Sequence, residues 1–158
     1  MGSSTFSGPV TSKAGFITGT DGNSTVSAAT LTVTQDLYNG QIINLSLAAG
    51  ITVTLPAATG TNAMYRFVVS TTVTSNSYKI QVANATDVMV GTGSVAGTTG
   101  TAFATLPASD TLTMNGTTQG GIAGSYVEII DIAAGIFVVR ANLLGSGTVI
   151  TPFSAAVS

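Results

Sequence analysis

The residues able to do chemistry in this chain are few. Six carboxylates, Asp21, Asp36, Asp87, Asp110, Glu128 and Asp131, and four cations, Lys13, Arg66, Lys79 and Arg140, are its only charged side chains, and its 158 residues include no His, Cys or Trp. The chain therefore lacks an imidazole general base, a thiolate nucleophile, and the soft ligands that zinc, copper, haem or iron–sulfur clusters require. Catalysis would have to rest on paired acids, as in glycoside hydrolysis, where two carboxyl groups flank the scissile bond at a set separation. Glu128 and Asp131 lie an odd number of residues apart on one predicted strand, so they face opposite sides and cannot form that pair. The other acids stand at strand edges or in turn-forming text, such as Asp21-Gly22, Asp36-Leu37 and Ser109-Asp110-Thr111, where Asp bonds its own local backbone. No enzyme is expected and no cofactor is implied.

Binding chemistry is equally thin. Calcium needs several converging oxygens, and the nearest text, Asp21-Gly22-Asn23-Ser24-Thr25, lacks the acidic density of an EF-hand loop. Tyr38, Tyr65, Tyr78 and Tyr126 are candidate rings for stacking sugars, but no Trp and few acids accompany them. The four cations are scattered, so no phosphate-neutralising patch forms and nucleic acid is not an expected partner. The longest nearly apolar run, Ile129 to Val139, is interrupted by Asp131 and falls short of the roughly 20 residues that span a bilayer, so no membrane partner is expected. Residues 1–9 have neither a positive n-region nor an apolar h-region, which predicts synthesis in a cytoplasm.

The elements that would position these residues are short strands. Residues 1–24 mix Gly, Ser, Thr and Pro with isolated large side chains at Phe6, Val10, Phe16 and Ile17 and show no sustained period, which predicts an extended arm. From Thr25 to Ser158 apolar and hydroxyl residues alternate in runs bounded by Gly, Asn, Asp or Pro, as in Leu31 and Val33 among threonines or Ile51, Val53 and Leu55 with Thr52 and Thr54. About ten such runs predict an all-β domain over 25–158, an antiparallel sandwich of jelly-roll type with almost no helix. Further strands are expected at Asp87 to Val90 and Thr148 to Ile150, with long loops at Pro56 to Ala63, Gly91 to Gly100 and Asn115 to Gly124. The repeated text Leu47-Ala48-Ala49-Gly50-Ile51 and Ile132-Ala133-Ala134-Gly135-Ile136 predicts two hairpins closed by a left-handed Gly. With Ala133 to Gly135 as loop, Ile132 stands opposite Ile136 and Glu128 opposite Arg140, a cross-strand ion pair.

Only 6% of the residues are charged, against roughly 25% in ordinary domains, so hydroxyls or other subunits must cover much of the surface. Strands around Met64-Tyr65-Arg66-Phe67-Val68-Val69 and Ile129 to Val139 are apolar at consecutive positions. Both faces of these strands want burial, either as central core strands or at an oligomer interface; on the second reading Tyr65, Phe67, Phe137 and Val139 meet other subunits, with a trimer as the assembly.

The text Gly50-Ile51-Thr52-Val53-Thr54-Leu55-Pro56-Ala57-Ala58-Thr59-Gly60, then Tyr65-Arg66-Phe67-Val68-Val69, Ser77-Tyr78-Lys79-Ile80-Gln81-Val82 and Asn115-Gly116-Thr117-Thr118, resembles head decoration (cement) proteins of tailed bacteriophages and related small phage structural proteins. The resemblance covers about residues 25 to 158. It implies a β-sandwich or jelly roll, commonly trimeric, seated on the outer surface of the head and clamping neighbouring copies of the major capsid protein. It carries no catalytic motif. On this reading Phe6, Val10, Phe16 and Ile17 contact the capsid and the β domain makes the oligomer. A tail-fibre module and a carbohydrate-binding domain are the alternatives.

Overall fold

Alternation decides which residues go inside. In the run Ile51–Thr54 the β-branched apolar residues are buried and the threonines half-exposed, because successive side chains of a strand point to opposite faces. A computed structural model describes residues 23–157, and within them twelve strands repeat this logic. The chain opens with β1 (Asn23–Val26), β2 (Thr30–Thr32), a one-turn helix α1 (Gln35–Tyr38), β3 (Ile42–Leu45), β4 (Ile51–Thr54), β5 (Met64–Val69) and β6 (Tyr78–Gln81). It continues with β7 (Val88–Ala96), β8 (Thr101–Ala104), β9 (Thr111–Met114), β10 (Tyr126–Ala133), β11 (Ile136–Leu144) and β12 (Phe153–Ser154).

Two sheets result: a larger one of seven strands, ordered β1-β3-β5-β10-β11-β7-β8, and a smaller one of five, ordered β12-β9-β6-β4-β2. Their inner faces share one apolar core, in which Tyr65, Phe67, Phe137 and Val139 meet Val53, Ile80 and Leu112. The all-β sandwich holds. Its sheets, however, are mixed and not purely antiparallel, which departs from the expected jelly-roll pattern. From β1 to β6 the chain changes sheet at every strand, so each return lands beside the previous strand of that sheet and runs parallel to it. The registers Asn23↔Ile42, Ile42↔Arg66, Thr30↔Thr52 and Ile51↔Tyr78 record this coil. Parallel pairing needs such a crossover, since a tight turn joins only antiparallel neighbours. Beyond β6 the chain closes the hairpins β7–β8 and β10–β11, while β11 joins β7 in parallel.

Local expectations are corrected by this topology. The turn at Leu47 to Gly50 has the left-handed Gly (φ +90°) and a Gly50 N–H to Leu47 carbonyl bond of 2.9 Å, but it passes the chain from the larger sheet to the smaller and closes no hairpin. Residues 91–96, expected as loop, continue β7. They can do so because Gly91 (φ +150°) lies against the Val139 carbonyl in the parallel register, and Gly93 leaves room for the Phe153 ring. Phe153 itself belongs to β12, so the last strand falls there and not at Thr148 to Ile150. β1 begins at Asn23, inside the segment expected as an arm.

Gly91 fixes a contact that no side chain tolerates, since a Cβ there would collide with the Val139 carbonyl at a backbone angle other residues avoid. Gly91→Ala is expected to lower stability by about 1 to 3 kcal/mol, read from urea unfolding midpoints. Gly100→Ala, where a Cβ meets nothing within 4 Å, is the control and should be near neutral.

Candidate functional site

Parity divides the large residues of the larger sheet into two sets. Tyr65, Phe67, Phe137 and Val139, expected at an oligomer interface, are buried in the core at 0 to 1% exposure and cannot meet another subunit. The consecutive apolar text also puts apolar residues on the outer face, as the strand neighbours of this core set. Met64, Ile130, Val138 and Val90 stand side by side across β5, β10, β11 and β7 on the outer face. Val90 is 36% exposed and the other three are half-buried, with no second layer of the described chain above them. Ile132, at 43% exposure, lies just beyond, where a bulge between Asp131 and Ala133 interrupts the register.

The next row holds Arg66, Glu128, Arg140 and Thr92 across the same four strands. The expected register of Glu128 opposite Arg140 is present, although Ile132 is bulged and Ala133 takes its place opposite Ile136. The ion pair goes elsewhere. Arg66 Nε donates to Glu128 Oε2 at 3.3 Å, and this is the only salt bridge among the described residues. Glu128 has a cation on each side and its second neighbour wins, with the Tyr126 hydroxyl donating to the same oxygen at 3.3 Å. Burial and the Glu128 charge raise the Tyr126 pKa, against an opposing effect of Arg66. Arg140 is left exposed.

Three of the other acids are buried and hold backbone. Asp131, 3% exposed, accepts hydrogen bonds from the N–H groups of Thr59, Gly60 and Thr61 at 2.7 to 3.2 Å and from the Thr61 hydroxyl at 2.8 Å. Asp87 accepts from the Ala58 N–H and from the Asn84 amide, both at 2.9 Å. Asp110 accepts from Ala156 N–H at 2.8 Å, Val157 N–H at 3.1 Å and the Thr111 hydroxyl at 2.8 Å. Asp87 and Asp131 thus clamp one loop, residues 58–61, and Asp110 ties down the C-terminal segment. Each carboxylate accepts backbone N–H groups of a segment distant in the chain. The Thr-Gly-Thr text at 59–61 was the only sequence signal for this clamp, and it identifies no partner. Glu128 and Asp131 lie on opposite faces, as the strand period requires.

The tyrosines make no common platform. Tyr65 and Tyr78 are core residues whose pKa values burial raises, with the Asp131 charge adding to the effect at Tyr65. The Tyr78 hydroxyl donates to the Thr71 carbonyl at 2.8 Å. A groove of about 380 Å³ beside β4 is lined by Ala49, Thr52, Asn76 and Lys79, among others, and the Asn76 amide already bonds the Ala49 carbonyl. Among the described residues no three acids converge, and no helix is long and apolar enough to cross a membrane. Asp21 and the four large arm residues, Phe6, Val10, Phe16 and Ile17, lie outside the described residues.

What the fold and its surface define is an all-β sandwich whose larger sheet carries an apolar row beside a charged one on its outer face. The chain matches no family model, no curated protein and no solved structure.

The clamp at Asp131 has a pH signature. Burial by itself would raise its pKa, but the hydrogen bonds from Thr61, Gly60 and Thr59 outweigh that and hold the carboxyl below its ordinary value. A depressed folded pKa means stability that is complete above the ordinary carboxylate range, about 3.9, and is lost as pH falls through the lowered value. Asp131→Asn is expected to cost about 1.5 to 3 kcal/mol near neutral pH, with the difference from wild type shrinking below about pH 4 in urea titrations.

Proposed function

We propose that this chain is a structural virion protein, a decoration or cement protein that binds the outer surface of a tailed-phage head and stabilises the shell. The observation that supports it most is a nearly uncharged sandwich whose apolar row, Met64, Ile130, Val138 and Val90, lies on one sheet face, where copies on a shell can meet. Contacts made on a finished shell draw on no energy source, so they must be broad, well packed and insensitive to salt. Apolar burial meets those conditions better than scattered ion pairs. The motif resemblance supports the same reading. On it the protein is not an enzyme, is made in the host cytoplasm, ends on the outer face of the virion head, and has two partners, the major capsid protein and copies of itself.

Within this proposal the residues before β1 are the docking arm and the β domain provides self-association. Phe6, Val10, Phe16 and Ile17 are too large and apolar for an idle tail, and burying each of the larger ones would contribute about 1.5 to 3 kcal/mol before ordering is subtracted. A second reading, a tail-fibre or carbohydrate-binding module, draws support from the parallel coil of β1 to β6, the winding that solenoids extend by repetition.

Undecorated heads test the proposal. The full chain is expected to bind them in many copies per particle and to stay bound when salt is raised to molar levels. Replacing Phe6, Val10, Phe16 and Ile17 together by Ser should weaken binding by about a hundredfold or more while leaving the circular dichroism unchanged. A few copies per virion located on the tail would favour the second reading, and full head binding by the Ser variant would move the contact to the β domain.

A further inference from the structure

The rows on the outer face of the larger sheet have an internal symmetry. Across the line between β10 and β11, Ile130 stands opposite Val138, with Met64 beyond one and Val90 beyond the other. One row along, Glu128 stands opposite Arg140 across the same line, flanked by Arg66 and Thr92. Consider a half-turn about an axis parallel to the strands and lying above this line. It exchanges β10 with β11 and β5 with β7, and it keeps each row at its own level. A face laid on itself in this way meets apolar row with apolar row, Ile130 on Val138 of the second copy and Met64 on Val90. The same operation sets Glu128 against Arg140 of the second copy, and does so twice.

We infer that this face is a two-fold self-contact whose occupant is a second copy of this chain. Charge complementarity carries the inference. Within one chain Glu128 is engaged by Arg66 and Tyr126, so Arg140, exposed and directly opposite, has no carboxylate among the described residues. The half-turn gives it one. Sliding the faces by a row would instead set charged residues on the apolar row and leave them desolvated without partners. The apolar row spans four strands, while the charged row and a third row, Val68, Tyr126, Asn142 and Ser94, reach β3 and β8 as well; at about 4.8 Å between strands and about 7 Å between rows they cover on the order of 500 Å² of flat face per copy. Side-chain relief brings that toward the roughly 800 Å² per partner of a stable interface. Leu106, 74% exposed, follows Thr105, whose N–H bonds the Gly91 carbonyl next to Val90.

The inference rests on the proposed function for its self-association, and it replaces the expected three-fold arrangement with a two-fold one. In a three-fold ring each contact joins two different patches, so the self-complementarity of this face would go unused. Its test reads mass in solution with no heads present, so head binding and self-contact fail separately.

Sedimentation equilibrium on the full chain should give a dimer. Glu128→Arg and Arg140→Glu each set like charges against one another twice across the axis, and each should weaken self-association by at least about tenfold. Mixed in equal amounts, the two variants become complementary and should return to the wild-type dimer mass. Rescue by mixing reports a contact between copies, because no change within one chain can produce it. Should Glu128→Arg fail to fold with three guanidinium groups in one row, Ile130→Lys and Val138→Asp face each other under the same half-turn and carry the same expectation. A wild-type monomer at tens of micromolar, a three-fold mass, variants that associate like wild type, or a mixture that stays dissociated would each overturn the inference.

Discussion

Strand β10 joins two halves of the larger sheet that are wound by different rules. On one side lie β5, β3 and β1, delivered by the parallel coil; on the other lie β11, β7 and β8, delivered by hairpins and one parallel return. The register of Tyr126 to Ile130 against Val68 to Met64 is the seam between them. No loop in the neighbourhood of either strand supplies that pairing, since more than fifty residues separate them, and its closure entropy must be repaid by what it buries. Tyr65, Phe67, Val127 and Ile129 do so on the inner face. The strip of outer face that results, with its rows in register over four strands, exists only because this seam is closed. Asp131 stands at the end of the same strand and anchors the loop that leads into β5, so seam and clamp reinforce each other.

Local text was a good guide to faces and a poor one to partners. The threonine alternation of Ile51 to Thr54 follows directly from a period of two, and so does the opposition of Glu128 and Asp131. The Glu128 to Arg140 register was readable because turn and strands are contiguous, and the bulge at Ile132 shortened the loop without shifting it. The parallel coil was not readable. A strand whose partners lie one crossover away carries no mark of them, and the same Ala-Ala-Gly text closes a hairpin at residue 135 and turns a corner at residue 50. At the corner, Ala48 receives the N–H groups of Thr74 and Ser75 and the Ser77 backbone crowds Gly50, so a distant segment determines the outcome. Of the two readings of the doubly apolar strands, parity decides for the core one at Tyr65, Phe67, Phe137 and Val139, which all point inward.

The scarcity of charge acquires a structural meaning from the buried aspartates. Asp87, Asp110 and Asp131 together receive most of the side-chain-mediated anchoring of the 58–61 loop and the C-terminal segment, which leaves Asp36 and Glu128 as the acids at the described surface. The sequence placed most of the acids at turns and strand edges, bonding their own local backbone, whereas the backbone amides that Asp87, Asp110 and Asp131 hold lie 29 to 72 positions away. The structure shows carboxylates used as internal fasteners in a chain that has no disulfide to perform that task.

Strand length tapers outward in both sheets. The central β10 and β11 have eight and nine residues, whereas the edge strands β8, β2 and β12 have four, three and two. An edge is a row of unsatisfied amides and carbonyls on which a stranger's strand can grow, and brevity is one of the ways natural sheets refuse that growth. A chain with so few charges has little electrostatic repulsion to keep copies apart when they are crowded. Its short edges take over that duty, blocking runaway fibrous addition and leaving recognition to side chains on the sheet faces, where it can be selective.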